Sequence, residues 1–182
     1  MHTKILNILS IIPGTKYLGL AIFVDADLHD WFIKSLPDAT LEEKITYINS
    51  FISDIIDRFH INVLVMKQLH PARQSPNLIK LVSVIKALGR HANISIIEFP
   101  INAIEQFLLK GKLNKKRLAE EVAAIYPVVF HEFEREKKNK NTYLTRMFEA
   151  IALGTVCISR LDKGHRKTLS ITRNQYSYEQ EQ

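Results

Sequence analysis

Apolar residues recur along this chain in two rhythms, and the switch between them sets the expected architecture. Residues 5–12 (ILNILSII) are apolar almost without a break, as a strand covered on both sheet faces must be. The turn Pro13-Gly14-Thr15-Lys16 follows, and residues 17–23 resume a β-branched and aromatic run, so the two read as a hairpin. Residues 28–35 add a third strand across a turn carrying Asp25 and Asp27, with Asp30 inside the strand. Pro37-Asp38 then ends the strand pattern.

From Thr40 the period lengthens to that of a helix. Thr40-Leu-Glu-Glu43 is a capping box, in which the Thr hydroxyl serves the third amide and Glu43 reaches back. Ile45, Ile48, Ile52, Ile55, Ile56 and Phe59 form one stripe behind it. Residues 61–66 (INVLVM) are a buried strand closed by Lys67, and a polar loop over 68–75 leads to Pro76 at the head of a second helix. That helix buries Leu78, Leu81, Val82, Ile85 and Leu88, with Gly89 near its end. Residues 94–99 (ISIIEF) are a third buried run, and a short helix covers 102–109. Asn114 caps a helix that Pro127 stops. Residues 131–141 are densely charged and weakly periodic. Asn141-Thr142 opens a final helix with Leu144, Met147, Phe148, Ile151 and Ala152 inward. Residues 1–161 thus read as one domain and 162–182 as a loosely ordered polar tail.

Three strands in meander order followed by alternating helix and strand give an α/β fold. We expect a mixed five-stranded sheet, a three-strand antiparallel meander plus two parallel strands, with helices on both faces. The crossovers are right-handed. The order β-β-β-α-β-α-β-α is that of the ribonuclease H-like fold.

Composition narrows the setting. A chain of 182 residues can bury a sizeable core, and 46% hydrophobic with 24% charged residues is ordinary for a globular protein. No apolar run approaches the roughly 20 residues that span a bilayer, so no membrane partner is expected. Residues 1–12 lack a signal-peptide cleavage site. The single Cys157 can form no intramolecular disulfide and reads as a small buried hydrophobe, which points to a reducing, cytoplasmic setting. His2, His29, His60, His91, His131 and His165 show no metal-ligand spacing. The net charge of +6 favours contact with phosphates. Lys110, Lys112, Lys115, Lys116 and Arg117 cluster at a loop and a helix N-terminus, whose amides also attract anions.

The blocks ILSIIPGTKYLGLAIF, LHDWFIKS, VLVMKQLHPARQSPNL, ISIIEFP and RMFEAIALG, taken in succession, resemble those of RuvC-type Holliday-junction resolvases. The resemblance runs to about Leu161. It implies a ribonuclease H-like fold, a homodimer and cleavage of branched DNA in recombination and repair. It also implies Mg²⁺ or Mn²⁺ held by acids at the end of the first strand, the end of the fourth and on the last helix. Those positions fall here on Ile12, on Lys67, and on Arg146 and Glu149. Ile12 has no oxygen to offer, and Lys67 brings a positive charge.

The expectation is therefore a RuvC-like protein that binds structured or branched nucleic acid and has lost the nuclease acids, with no metal cofactor. Lys67, and Arg146 beside it, would pair with Glu149 where ions would otherwise sit. His70 and Arg73, in the loop after the fourth strand, join the Lys110–Arg117 cluster as phosphate contacts; loop scaffolding and helix capping are the competing roles. Two rival readings stand beside this one. The first is an active Mg²⁺- or Mn²⁺-dependent nuclease with acids redrawn from Glu149, Glu98, Asp25 or Asp30. The second is a non-catalytic interaction subunit using an apolar dimer face and the charged segment 132–140.

Overall fold

The computed structural model describes residues 5–100, 102–109, 111–112, 114–138 and 143–176, with Arg73 and residues 162–176 as backbone only. The expected continuous apolar strand is β1 (Ile8–Ile12), buried throughout and central in a five-stranded sheet of order β3-β2-β1-β4-β5. It pairs antiparallel with β2 (Tyr17–Val24) and parallel with β4 (Val63–Lys67). The outer strands are β3 (Asp27–Ser35), antiparallel to β2, and β5 (Ser95–Phe99), parallel to β4. Meander and crossovers thus follow the expected mixed topology.

Period-two alternation along β1 divides two cores. Leu9 and Ile11 face α1 (Leu41–Arg58) and α2 (Pro76–His91), whereas Ile8 and Ile12 face the long α6 (Thr145–Tyr176). Between the last two, Ser10 is fully buried and its hydroxyl donates to the Ala150 carbonyl at 2.7 Å. This bond satisfies the one polar side chain of β1 and pins α6 across the sheet. Close approach requires glycine on both sides: a Cβ at Gly19 would strike the Arg146 backbone, and one at Gly154 would enter the Phe23 ring.

At the opposite end of β1, Asn7 is 6% exposed and ties three segments together. Its Oδ1 accepts from the Asp25 amide at 3.1 Å, and its Nδ2 donates to the carbonyls of Phe59 at 2.8 Å and His60 at 3.3 Å. The β2–β3 turn puts both Asp25 (φ 53°) and Ala26 (φ 68°) in the left-handed region, the type I′ geometry that matches strand twist. Asp25 therefore serves the hairpin.

The capping box forms as read, with Glu43 accepting from the Thr40 amide and donating its own amide to the Thr40 hydroxyl. Ser75 and Asn114 cap α2 and α4 (Lys115–Ile125). The short helix over 102–109 consists of α3 (Asn102–Ile104) and a wider π-helical segment, Glu105–Leu109.

Two expectations need correction, and the charged stretch gains an element. Residues 94–99 are not a fully buried run: β5 is an edge strand, so Ser95 and Glu98 are exposed and Ile96 and Ile97 only partly covered. The charged stretch is helical as α5 (Phe130–Lys138), although none of its residues is buried. The last helix is described from Thr145, while Asn141 and Thr142 lie outside the described residues. Its backbone runs on to Tyr176, beyond Leu161, where the apolar periodicity ends.

Candidate functional site

Because β1 and β4 run parallel, their C-terminal tips meet at one edge of the sheet. Ile11 pairs with Met66, which leaves Ile12 and Lys67 side by side as the next residues, both facing α6. The first turns of α6 lie over these tips and bring Thr145, Arg146 and Glu149 to them. Together they border a cleft of about 770 Å³, completed by His70 from the loop after β4, Glu105, and Lys115 from the start of α4.

Glu149 is 7% exposed, and the Lys67 ammonium donates to its Oε2 at 3.0 Å. The expected pairing of these two residues is thus in place. Arg146 is the exception: its Nη1 donates to the Pro13 carbonyl at 3.0 Å, and its side chain lies against Gly14 and Gly19 rather than reaching Glu149. Thr145 donates its hydroxyl to Glu136 Oε1 at 3.1 Å, drawing the charged α5 to the rim. His70, which lines the cleft, uses Nδ1 to accept from the Ala72 amide at 3.2 Å and so caps a short 3-10 turn, Pro71–Arg73.

The structure brings Ile12, Lys67, His70, Lys115 and Glu149 to one cleft. Lys112, Lys116 and Arg117 are exposed but do not line it, and Arg117 faces Glu121 at 3.8 Å one turn along its own helix. Lys110 lies outside the described residues, as does His2, and the Arg73 side chain is not among those described.

The acids proposed for a redrawn set stand apart. Glu98 lies on the other sheet face and pairs with Lys86 of α2 at 2.7 Å. Asp25 sits in the turn at the far end of β2, and Asp30 accepts from the Trp31 amide on the exposed β3 edge. Among the described residues, no three His, Cys, Asp or Glu side chains gather in a way that could hold a metal ion.

The donor set at the strand tips therefore does not fit two divalent cations. Such a pair needs several carboxylate oxygens within reach of both ions. Here the buried carboxylate is engaged by an ammonium, and its neighbour Ile12 is aliphatic and 2% exposed. Sequence reasoning missed Thr145, Pro13 and Glu105, whose place depends on how α6 and the segment after β5 fold over the sheet edge.

No known family model matches the chain, and no curated protein matches it by sequence. Solved structures do. Thermus thermophilus RuvC superposes with a TM-score of 0.67 at 15% identity, over 87% of this chain and 97% of that one. The yeast mitochondrial Holliday junction resolvase gives 0.64 at 10% identity, over 83% and 77%. The Fowlpox virus resolvase, solved with its substrate Holliday junction DNA, gives 0.54 at 17% identity, over 86% and 99%. The chain has the ribonuclease H-like fold of the RuvC-like resolvases, as the blocks quoted above imply.

Proposed function

We propose that this protein binds branched nucleic acid through the cleft at the tips of β1 and β4 and leaves it uncut. The observation that carries the reading is the Lys67–Glu149 pair at 3.0 Å, which puts an ammonium where a nuclease of this fold would need cations. A divalent ion about 4 Å from that ammonium would be repelled by roughly 8 kcal/mol at an effective dielectric of 20. The Glu149 carboxylate, already neutralised by Lys67, does not offset such a cost.

Binding has support of its own. Lys67, His70, Lys115 and Arg146 converge from separate segments onto one cleft, and the exposed Lys112 and Lys116 lie nearby in sequence. Cations so arranged suit the phosphates of a strand and read no bases. The Fowlpox protein of this fold carries a Holliday junction as substrate, which makes a four-way junction the first ligand to try.

The experiment is a titration of a labelled four-way junction at several salt concentrations, followed by incubation with Mg²⁺ or Mn²⁺. Affinity that falls steeply with salt, with the junction recovered intact, agrees with the proposal. A flat salt response counts against binding through phosphates. Cleavage that disappears in Glu149→Ala would return the protein to the nucleases.

A further inference from the structure

Beside the cleft, two tyrosines form a pair that plays no part in the reading above. Tyr17 opens β2 on the sheet face that carries Gly19 and the α6 contacts. Tyr143, two residues before α6, meets it edge to face, with centroids 5.1 Å apart and ring planes at 86°. The two residues are 39% and 38% exposed, so each ring is partly open to solvent. In this geometry the contact itself covers one face of one ring only.

The surroundings are cationic. Exposed Lys16 precedes Tyr17, and Lys44 donates to the Thr15 carbonyl at 3.0 Å. The Tyr17 carbonyl and the Arg146 guanidinium pack against Gly14, and Arg146 lines the cleft. Two aromatic rings are far too small an area for a stable protein interface, which takes about 800 Å² per partner. Rings flanked by cations are instead the means by which single-stranded nucleic acid is held: bases stack on the rings while phosphates meet the charges.

We infer that Tyr17 and Tyr143 are a stacking platform for an unpaired base, set beside the phosphate-binding cleft. The ligand class is thereby narrowed to nucleic acid with unstacked bases, such as a gap or an open junction centre. The inference rests on the nucleic-acid reading given above. Each ring holds its partner in place, so the platform is preorganised and loses little side-chain freedom on binding.

The full-length chain would be titrated against two probes of equal length at one salt concentration. One is an intact duplex, and the other carries 2-aminopurine within a short single-stranded gap. The wild type is expected to favour the gapped probe and to quench its fluorescence. Tyr17→Leu and Tyr143→Leu, which keep apolar bulk but no ring, should each lose on the order of tenfold affinity for the gapped probe. Both should bind the duplex unchanged, while Tyr17→Phe and Tyr143→Phe behave as wild type. Leu variants that bind and quench as wild type overturn the platform and leave the nucleic-acid reading intact. So do Phe variants that fail as the Leu variants do, because the hydroxyl would then be the active group. A wild type that binds neither probe removes both.

Discussion

The Lys67 ammonium stands 3.0 Å from a Glu149 carboxylate that is nearly buried, joining the tip of β4 to the second turn of α6. Removing one partner of such a pair leaves the other charge desolvated and uncompensated, whereas replacing both with apolar groups is often neutral. Lys67 keeps 29% of its side chain exposed, so water recovers part of the loss. Lys67→Met should destabilise the protein by about 2 kcal/mol, and Lys67→Met with Glu149→Leu should regain most of it. Urea unfolding of the wild type, both single variants and the double variant measures this. A double variant as unstable as the sum of the singles would show that the two side chains do not depend on each other.

Contacts set by near neighbours were legible in the sequence, and those made across the fold were not. The Thr40–Glu43 capping box and the apolar β1 could be read because each is complete within a few residues. The apolar run of β5 read as buried because hydrophobicity does not reveal whether a strand has one neighbour or two. The helical α5 was hidden because its residues bury no apolar stripe. At the site, the alignment of motifs brought Lys67 to Glu149, but Arg146 went to a backbone carbonyl, and residue type alone does not mark such an acceptor. The Tyr17–Tyr143 pair likewise needs β2 and the entry to α6 to be placed side by side first.

Asn7 joins the β2–β3 turn to the end of α1 through its side-chain amide. An apolar replacement leaves the Asp25 amide and the Phe59 carbonyl without these partners at a site that is itself 6% exposed. Asn7→Ala should cost about 2–3 kcal/mol. Amide hydrogen exchange would locate the effect, with faster exchange expected at Asp25 and little change at the cleft. Uniform loosening of the whole sheet would contradict a local clamp.

Gly154 lets α6 lie against the Phe23 ring. Gly154→Ala forces the ring or the helix to move and should cost about 1–3 kcal/mol as overpacking. Phe23→Leu creates space in the same place, so the pair of substitutions should be less damaging than their sum. Thermal melts of the four proteins give the coupling. Strict additivity would mean that the helix shifts instead of the ring.

Cys157 is fully buried on α6, and burial pushes its thiol from the usual 9.0 up to about 11, against a smaller opposing pull from Arg160. The thiolate, not the thiol, attacks alkylating reagents, and at pH 7 a group of that pKa is ionised in only about one molecule in ten thousand. Native protein should therefore react slowly with iodoacetamide, and urea-unfolded protein quickly. The same shift has a definite sign in stability. Between pH 9 and pH 11 the folded state holds a proton that the unfolded chain has already released, so rising pH favours unfolding. The contribution is whole below pH 9 and is lost as pH climbs through the folded value, at a cost of about 2–3 kcal/mol. Urea titrations at pH 8 and pH 11 should show that loss in the wild type and a smaller one in Cys157→Ala. Equal losses in the two proteins would mean that the thiol ionises as readily in the folded chain as in the unfolded one.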